Sequence, residues 1–312
     1  MKMKELEQMG FDASGAPVVT DWKHFFMRYI IPTYHHQPLV ARKIVQPIPL
    51  AFDGKTKGDI PISYDIGDPN YGMTPEHKDT KVQADTVSVN LPQFSLTTLL
   101  TDDEMALPIA QRSRLIMWAQ KATKKIAQWE DRVAFAGDAS QNVIGFIGSD
   151  STDLGNPTGS WGVDTDSTGI LNNAWDDLQK AMNFFTNEGL GQIPIHIVMT
   201  SYLWNLLRGT IILYTNMVNM DLWFKVLPKG STINYSNNIF PTVTATTNKV
   251  AFLLDLQGED LGGYQIRSSG IQMKIHQTDL WEHRFGLREK FTVKVVDDAY
   301  VLFMDGISNA ST

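Results

Sequence analysis

The feature that most constrains this 312-residue chain is the stretch from Pro108 to Ala136. Apolar residues fall at Leu115, Trp118, Ala122, Ile126, Trp129, Val133 and Ala136, in the steps of three and four that put them on one face of a helix. Thr101 and Glu104 have capping-box spacing and Pro108 suits a first helical turn. Gly137 ends the pattern as a glycine just past a helix does. A helix over 108–136 is about 43 Å long at ~1.5 Å per residue, a rod that spans a domain. Trp129 belongs to its apolar face, so Trp129→Ala is expected to cost roughly 3–5 kcal/mol. Glu130 and Asp131 stand near its end. Helix neighbours diverge by roughly 100°, so these two do not face one substrate as a general acid and base.

The flanking segments read differently. Residues 1–38 form an N-terminal arm, with a short helix at Lys4 to Met9, a turn at Ala13-Ser14-Gly15 and an amphipathic stretch from Trp22 to Tyr34 that Pro32 disturbs. From Leu39 to Leu91 the period becomes two: Ile60, Ile62, Tyr64 and Ile66 alternate with Pro61, Ser63 and Asp65, and Val87, Val89 and Leu91 with Ser88 and Asn90. The polar GDPNYGMTPEHKDTK, residues 67–81, lies between. This predicts a long two-stranded arm with a polar tip, marginal alone in water and therefore laid on something else, most simply another copy of the chain. After the helix, residues 149–169 read as a polar loop.

The remainder alternates helix and strand. Helices are expected at Asn172 to Thr186, Tyr202 to Leu207 and Tyr214 to Leu227. Strands are expected at Ile193 to Met199, Val250 to Leu254, Tyr264 to Arg267, Gln272 to His276, Phe291 to Val296 and Tyr300 to Met304. The fold class is α+β.

Composition removes several chemistries. Without cysteine there is no disulfide, thiolate metal site or cysteine nucleophile. The net charge is −7, and the bases are scattered except for Lys121, Lys124 and Lys125, a poor basis for tight binding to duplex DNA. The N-terminal MKMKELEQMGFDASG lacks the apolar core of a secretory signal and no stretch approaches ~18 apolar residues, so a cytosolic chain, or one assembled in a cytosol, is expected.

Motifs add no site. His35 and His36 are adjacent and aim apart, and H-E-x-x-H is absent. Asp279, Glu282 and His283 cluster in DLWEHRFGLRE, where a polar strand or loop face is a simpler reading than a metal or acid–base role, and His276 lies nearby. Gly54-Lys55-Thr56 resembles the end of a phosphate loop, but Pro49 occupies the leading glycine position. Gly189-Leu190-Gly191 leads into a strand without a third glycine, and G-x-S-x-G is absent. Asn234 and Asn309 open glycosylation sequons that carry little weight without a secretory signal. No catalytic, cofactor-binding or metal-ligating residue is assigned, and no cofactor.

The order of parts carries more than any one motif. An N-terminal arm, a long hairpin arm, a helix ending in WEDRVAFAG and followed by IGFIG, and an α+β region closing with REKFTVKVVDDAYVLFMDGI together resemble the Hong Kong 97-type capsid fold, from about Trp22 to Ile307. That family includes the major capsid proteins of tailed viruses and the encapsulin shells.

The resemblance implies an N-terminal arm at 1–38 and an extended loop at 39–91 overlapping a neighbour. It implies a peripheral domain of 92–170 and 286–312 with 108–136 as its spine, and an axial domain of 171–285 at pentamer and hexamer centres. Glu130 and Asp131 would serve packing or inter-subunit ion pairs, and Gly137 with Ile144 to Gly148 would turn the chain back. One family member crosslinks subunits through lysine–asparagine isopeptide bonds; Lys55 and Lys57 lie in the arm, but no motif identifies a partner.

The function implied is that of a non-enzymatic, self-assembling icosahedral shell protein. As a tailed-virus major capsid protein it would be located in the virion, assembled in the host cytoplasm, and would enclose double-stranded DNA without sequence-specific binding, with portal, minor capsid or decoration proteins as further partners and no membrane. The polar stretches 67–81 and 149–169 favour this reading. As an encapsulin it would enclose cargo enzymes through a short targeting peptide, and the absence of an extended cleavable N-terminal scaffold region favours that reading. A small enzyme is a third alternative, for which the sequence offers no site.

Overall fold

Alternating and helical periodicities assemble two sheets, a separate two-stranded hairpin and a long helix. The computed structural model describes residues 19–36, 39–45, 47–49, 57–65, 83–107, 112–147, 152–162, 165–236, 247–255, 264–279, 282–295 and 298–308. The expected helix at Lys4 to Met9, the turn at residues 13–15, the polar tip at 67–81 and Gly54-Lys55-Thr56 lie outside them.

An N-terminal helix opens the described chain, α-helical over Val19–Phe25 and Ile31–His35 with a wider π-helical turn at Phe26–Ile30. Pro32 therefore loosens the helix instead of ending it: the ladder widens immediately before the residue that has no N–H to give. A short helix, Val40–Ile44, follows. Its Val40, Ala41 and Ile44 are buried in the core, where period-two reasoning from Leu39 onward expected strand.

The strands follow in chain order. β1 is Ile48–Pro49. β2 (Lys57–Asp65) and β3 (Gln83–Asn90) pair antiparallel as a separate two-stranded sheet, which is the expected arm. β4 is Gln93–Thr101. Thr101 and Glu104 do form a capping box, but for a separate short helix, Asp102–Ala106. The long helix runs Ser113–Ala136 rather than 108–136, 24 residues or about 36 Å. β5 (Thr152–Asp153), the helix Asn172–Asn187, β6 (Ile195–Met199) and the helix Ser201–Gly209 come next.

The stretch Tyr214 to Leu227 is not one helix. β7 (Ile211–Ile212) and β8 (Met217–Val218) make a tight hairpin with Tyr214 and Asn216 at positive φ, and only Asn219–Val226 is helical. β9 (Thr232–Tyr235), β10 (Thr247–Leu254), β11 (Tyr264–Ser268), β12 (Gln272–Asp279), β13 (Glu282–Val295) and β14 (Val301–Ser308) complete the chain.

One sheet has the order β1-β11-β13-β12, with β4 also paired to β13; the other runs β5-β14-β10-β6-β9. β10 shows how the second sheet sorts its faces. Val250, Phe252 and Leu254 join Phe185, Leu203, Trp223 and Leu302 under the helices, whereas Ala251 and Leu253 turn to the opposite side. There they meet Phe291 and Val293 of β13 and the end of the long helix, so this second core cements the two sheets. A third core packs Trp22, Phe25 and Ile30 of the N-terminal helix and Leu115, Ala122 and Ile126 of the long helix onto Phe285 and Leu287. The polar loop after the long helix is anchored as well: Trp161 is fully buried and donates its Nε1–H to Asp177 at 2.8 Å.

Candidate functional site

The densest polar cluster of the described structure lies where the N-terminal helix, the short helix Val40–Ile44, the long helix and the first sheet converge. Tyr34 ends the first of these, Arg42 lies on the second, Glu130 on the third, and Ser268 and Glu289 on β11 and β13. Glu130 and Glu289 are fully buried. Arg42 pairs with Glu130 through Nε and with Glu289 through Nη2 at 3.1 Å. The Tyr34 hydroxyl accepts from Arg42 and faces both carboxylates, donating to Glu130 and lying 3.1 Å from Glu289 Oε1. Ser268 Oγ donates to Glu289 Oε1 at 2.6 Å and accepts from Gly270 N at 2.9 Å.

The charge count of this cluster does not balance. One guanidinium serves two carboxyls that also hydrogen-bond each other, so full ionisation would leave a net negative charge away from water. Burial pushes both carboxyls up, outweighing the attraction of Arg42, and Glu289 rises to about 8. Burial also raises the Tyr34 hydroxyl, reinforced by the negative charge of Glu130 and Glu289.

Asp131 serves a neighbouring joint. Its Oδ1 accepts from Ala41 N at 3.0 Å, holding the short helix, and its Oδ2 accepts from Ser236 Oγ at 3.4 Å. Burial lifts it to about 6 against the pull of those backbone amides. Glu130 and Asp131 thus diverge as helix neighbours must, and each ties the long helix to another element of the same subunit.

The next residues form a knot. Gly137 has φ +72°, and a Cβ there would lie 2.4 Å from Val143 O; a Cβ on Gly145 would lie 2.4 Å from both Phe135 O and Gly137 N. Phe146 N and Ile147 N donate to Ala134 O and Phe135 O at 2.8 Å. The two glycines let the outgoing chain press against the helix end, burying Phe146 beside Phe135.

The other sequence candidates disperse. His35 and His36 are exposed. His283 Nε2 lies 3.0 Å from Asp102 Oδ1, a partner outside the Asp279, Glu282 and His283 cluster; Asp279 and Glu282 pair as backbone at the β12–β13 turn. The segment around them is strand, as one of the two readings expected. Asn234 donates to Thr232 Oγ1 at 2.9 Å, and Gly189 turns the chain before β6 at φ +75°. Among the described residues no three His, Asp or Glu side chains gather where a metal ion would fit.

Tyr34, Arg42, Ser268 and Glu289 were not anticipated. One signal for Glu289 was present: it sits in phase with Phe285, Leu287, Phe291, Val293 and Val295, an acid on the buried side of an alternating strand. Glu130, four residues after Ile126, likewise falls on the buried stripe of its helix. Both carboxyls are buried and only part of the Arg42 side chain reaches solvent, so the cluster is placed to clamp elements together.

A helix packed across one sheet, a second sheet covered by helices, a separate two-stranded hairpin and a helical N-terminal strap define the class of α+β proteins with the Hong Kong 97-type capsid fold. Solved structures bear this out over nearly the whole chain. The virus-like particle from Pyrococcus furiosus matches with a TM-score of 0.58 at 10% identity, over 91% of this chain and 99% of that one. The holo-SrpI encapsulin complex from Synechococcus elongatus PCC 7942 matches at 0.56 and 10% identity, over 100% and 98%. The capsid of the native GTA particle matches at 0.53 and 16%, over 87% and 91%. At such identities the likeness establishes the fold. No protein-family profile and no curated protein sequence matches the chain.

Proposed function

We propose that this protein is the self-assembling subunit of an icosahedral shell, the major capsid protein of a tailed double-stranded DNA virus or provirus. The observation that carries the reading is the extent of the structural likeness: proteins solved as particles, capsids and an encapsulin complex match this chain nearly end to end. In this reading the β2–β3 hairpin within 39–91 overlaps a neighbouring subunit, 108–136 contains the spine of the peripheral domain formed with 92–170 and 286–312, and 171–285 lies at pentamer and hexamer centres. The buried clamp suits the task. A subunit held by many modest contacts must keep its own parts in register while contacts to its neighbours form and anneal.

The second reading is an encapsulin shell enclosing cargo enzymes. It is favoured by the match to the encapsulin complex, which covers all of this chain and 98% of that one. Both readings are tested by expressing the chain alone and imaging the soluble fraction by negative-stain electron microscopy. Uniform closed particles tens of nanometres across are expected, and their contents, nucleic acid or protein, separate virus from nanocompartment. A chain that stays monomeric at high concentration would overturn both.

A further inference from the structure

The outer face of the long helix departs from the rest of this acidic chain. Arg114, Lys121, Lys124, Lys125 and Arg132 are all exposed on it, and the remaining exposed positions of the helix are uncharged. Its two acids, Glu130 and Asp131, are buried. At about 100° per residue, Arg114, Lys121, Lys125 and Arg132 fall within roughly 20° of one line, and at ~1.5 Å per residue that line is about 27 Å long. Lys124 flanks it.

Among the described residues only Arg114 has an ion-pair partner on this face, Glu104 at 3.0 Å. Lys121 stands three and four residues from Lys124 and Lys125, spacings at which like charges repel along a helix and an acid would have relieved them. The pattern is built for an anion that comes from outside the helix.

Two anions fit by charge alone: the acidic surface of another copy, or a nucleic acid. Protein interfaces concentrate aromatic anchors and are poor in lysine. This face has lysines, glutamines and no exposed aromatic ring. Flexible point charges in a straight row need no matched partner positions and suit a polymer with one charge per ~1.7 Å of axis.

We propose that this helix face is a non-sequence-specific contact surface for the phosphate backbone of duplex nucleic acid. A few cations bind weakly on one subunit, and a shell would repeat them many times, converting weak contacts into avidity. The proposal rests on the shell reading for that repetition and deepens its virus form by naming where the packaged polymer would touch.

The test compares three full-length proteins: wild type, K121Q/K124Q/K125Q, and a charge-matched control, K43Q/K229Q/K274Q, drawn from exposed lysines elsewhere. Two measurements are made: anisotropy of a labelled duplex of about 40 base pairs with unassembled protein across a salt series, and nuclease-protected nucleic acid in any particles purified from cells. Wild type and control are expected to bind alike, with a salt slope of about −3, and the helix variant at least ~10-fold more weakly with a slope lower by about 2 to 3.

Equal binding by all three, or none by wild type, would overturn the proposal. So would a helix variant that loses only assembly, which would assign the face to a neighbour's acids. Particles that ignore the duplex sink this inference and leave the shell reading intact, whereas duplex binding by a chain that forms no particles does the reverse.

Discussion

Glu289 and Glu130 show what a buried acid costs and how the fold tolerates it. Two carboxyls in contact, one guanidinium and one phenol can be neutral only if a proton stays on the pair, and burial holds it there. The consequence has a definite sign. Glu289 titrates near 4.5 unfolded and about 8 folded, and Asp131 near 3.8 and about 6. Between those values the folded chain keeps protons that the unfolded chain has released. This contribution to stability is therefore full below pH 4 and declines as pH rises towards 8. The melting temperature of the unassembled protein is expected to fall from pH 5 to pH 8, and Glu289→Gln, which keeps the shape without the ionisation, is expected to flatten that decline. A variant with the wild-type slope would show that the proton resides elsewhere. Arg42 and Tyr34 were not readable as partners, because pairs 88 and 96 residues apart leave no local pattern.

The elements most legible in the sequence were those with one apolar side. The long helix followed from its three-and-four spacing, and β2 and β3 from alternation. Its start was misplaced because a real capping box at Thr101 and Glu104 belongs to the short helix before it. The β7–β8 hairpin was read as helix because its turn, at Tyr214 and Asn216, has neither glycine nor proline to mark it. Trp129 sits on the edge of the buried stripe. It is half-buried and stacks on Phe94 at 4.9 Å, so Trp129→Ala is expected to cost about 2 kcal/mol, below the full-burial figure the sequence implied. Gly145→Ala should be worse despite adding a single methyl group: its Cβ meets backbone atoms that cannot rotate away, and a loss of about 3 kcal/mol is expected from the unfolding midpoint in urea. A Gly145→Ala protein as stable as wild type would mean that the knot after the helix has room to open.

At the scale of the whole molecule, the division between body and arm decides which parts assembly can use. Every strand of the two main sheets is paired within the body, whereas β2 and β3 pair with each other in a sheet of their own. A two-stranded ribbon is marginal in water without a surface to lie on. If the hairpin is the overlapping arm of the shell reading, a neighbouring subunit would supply that surface. Replacing residues 67–81 by an Asn-Gly turn, which joins two strands without strain, is expected to leave the melting temperature of the unassembled subunit within a few degrees of wild type. The same change is expected to reduce the yield of closed particles severely, with open sheets or free capsomers in their place. Circular dichroism and electron microscopy on one preparation separate the two effects. An unfolded product would show that the arm supports its own body, and particles at the wild-type yield would remove its tip from the closure of the shell.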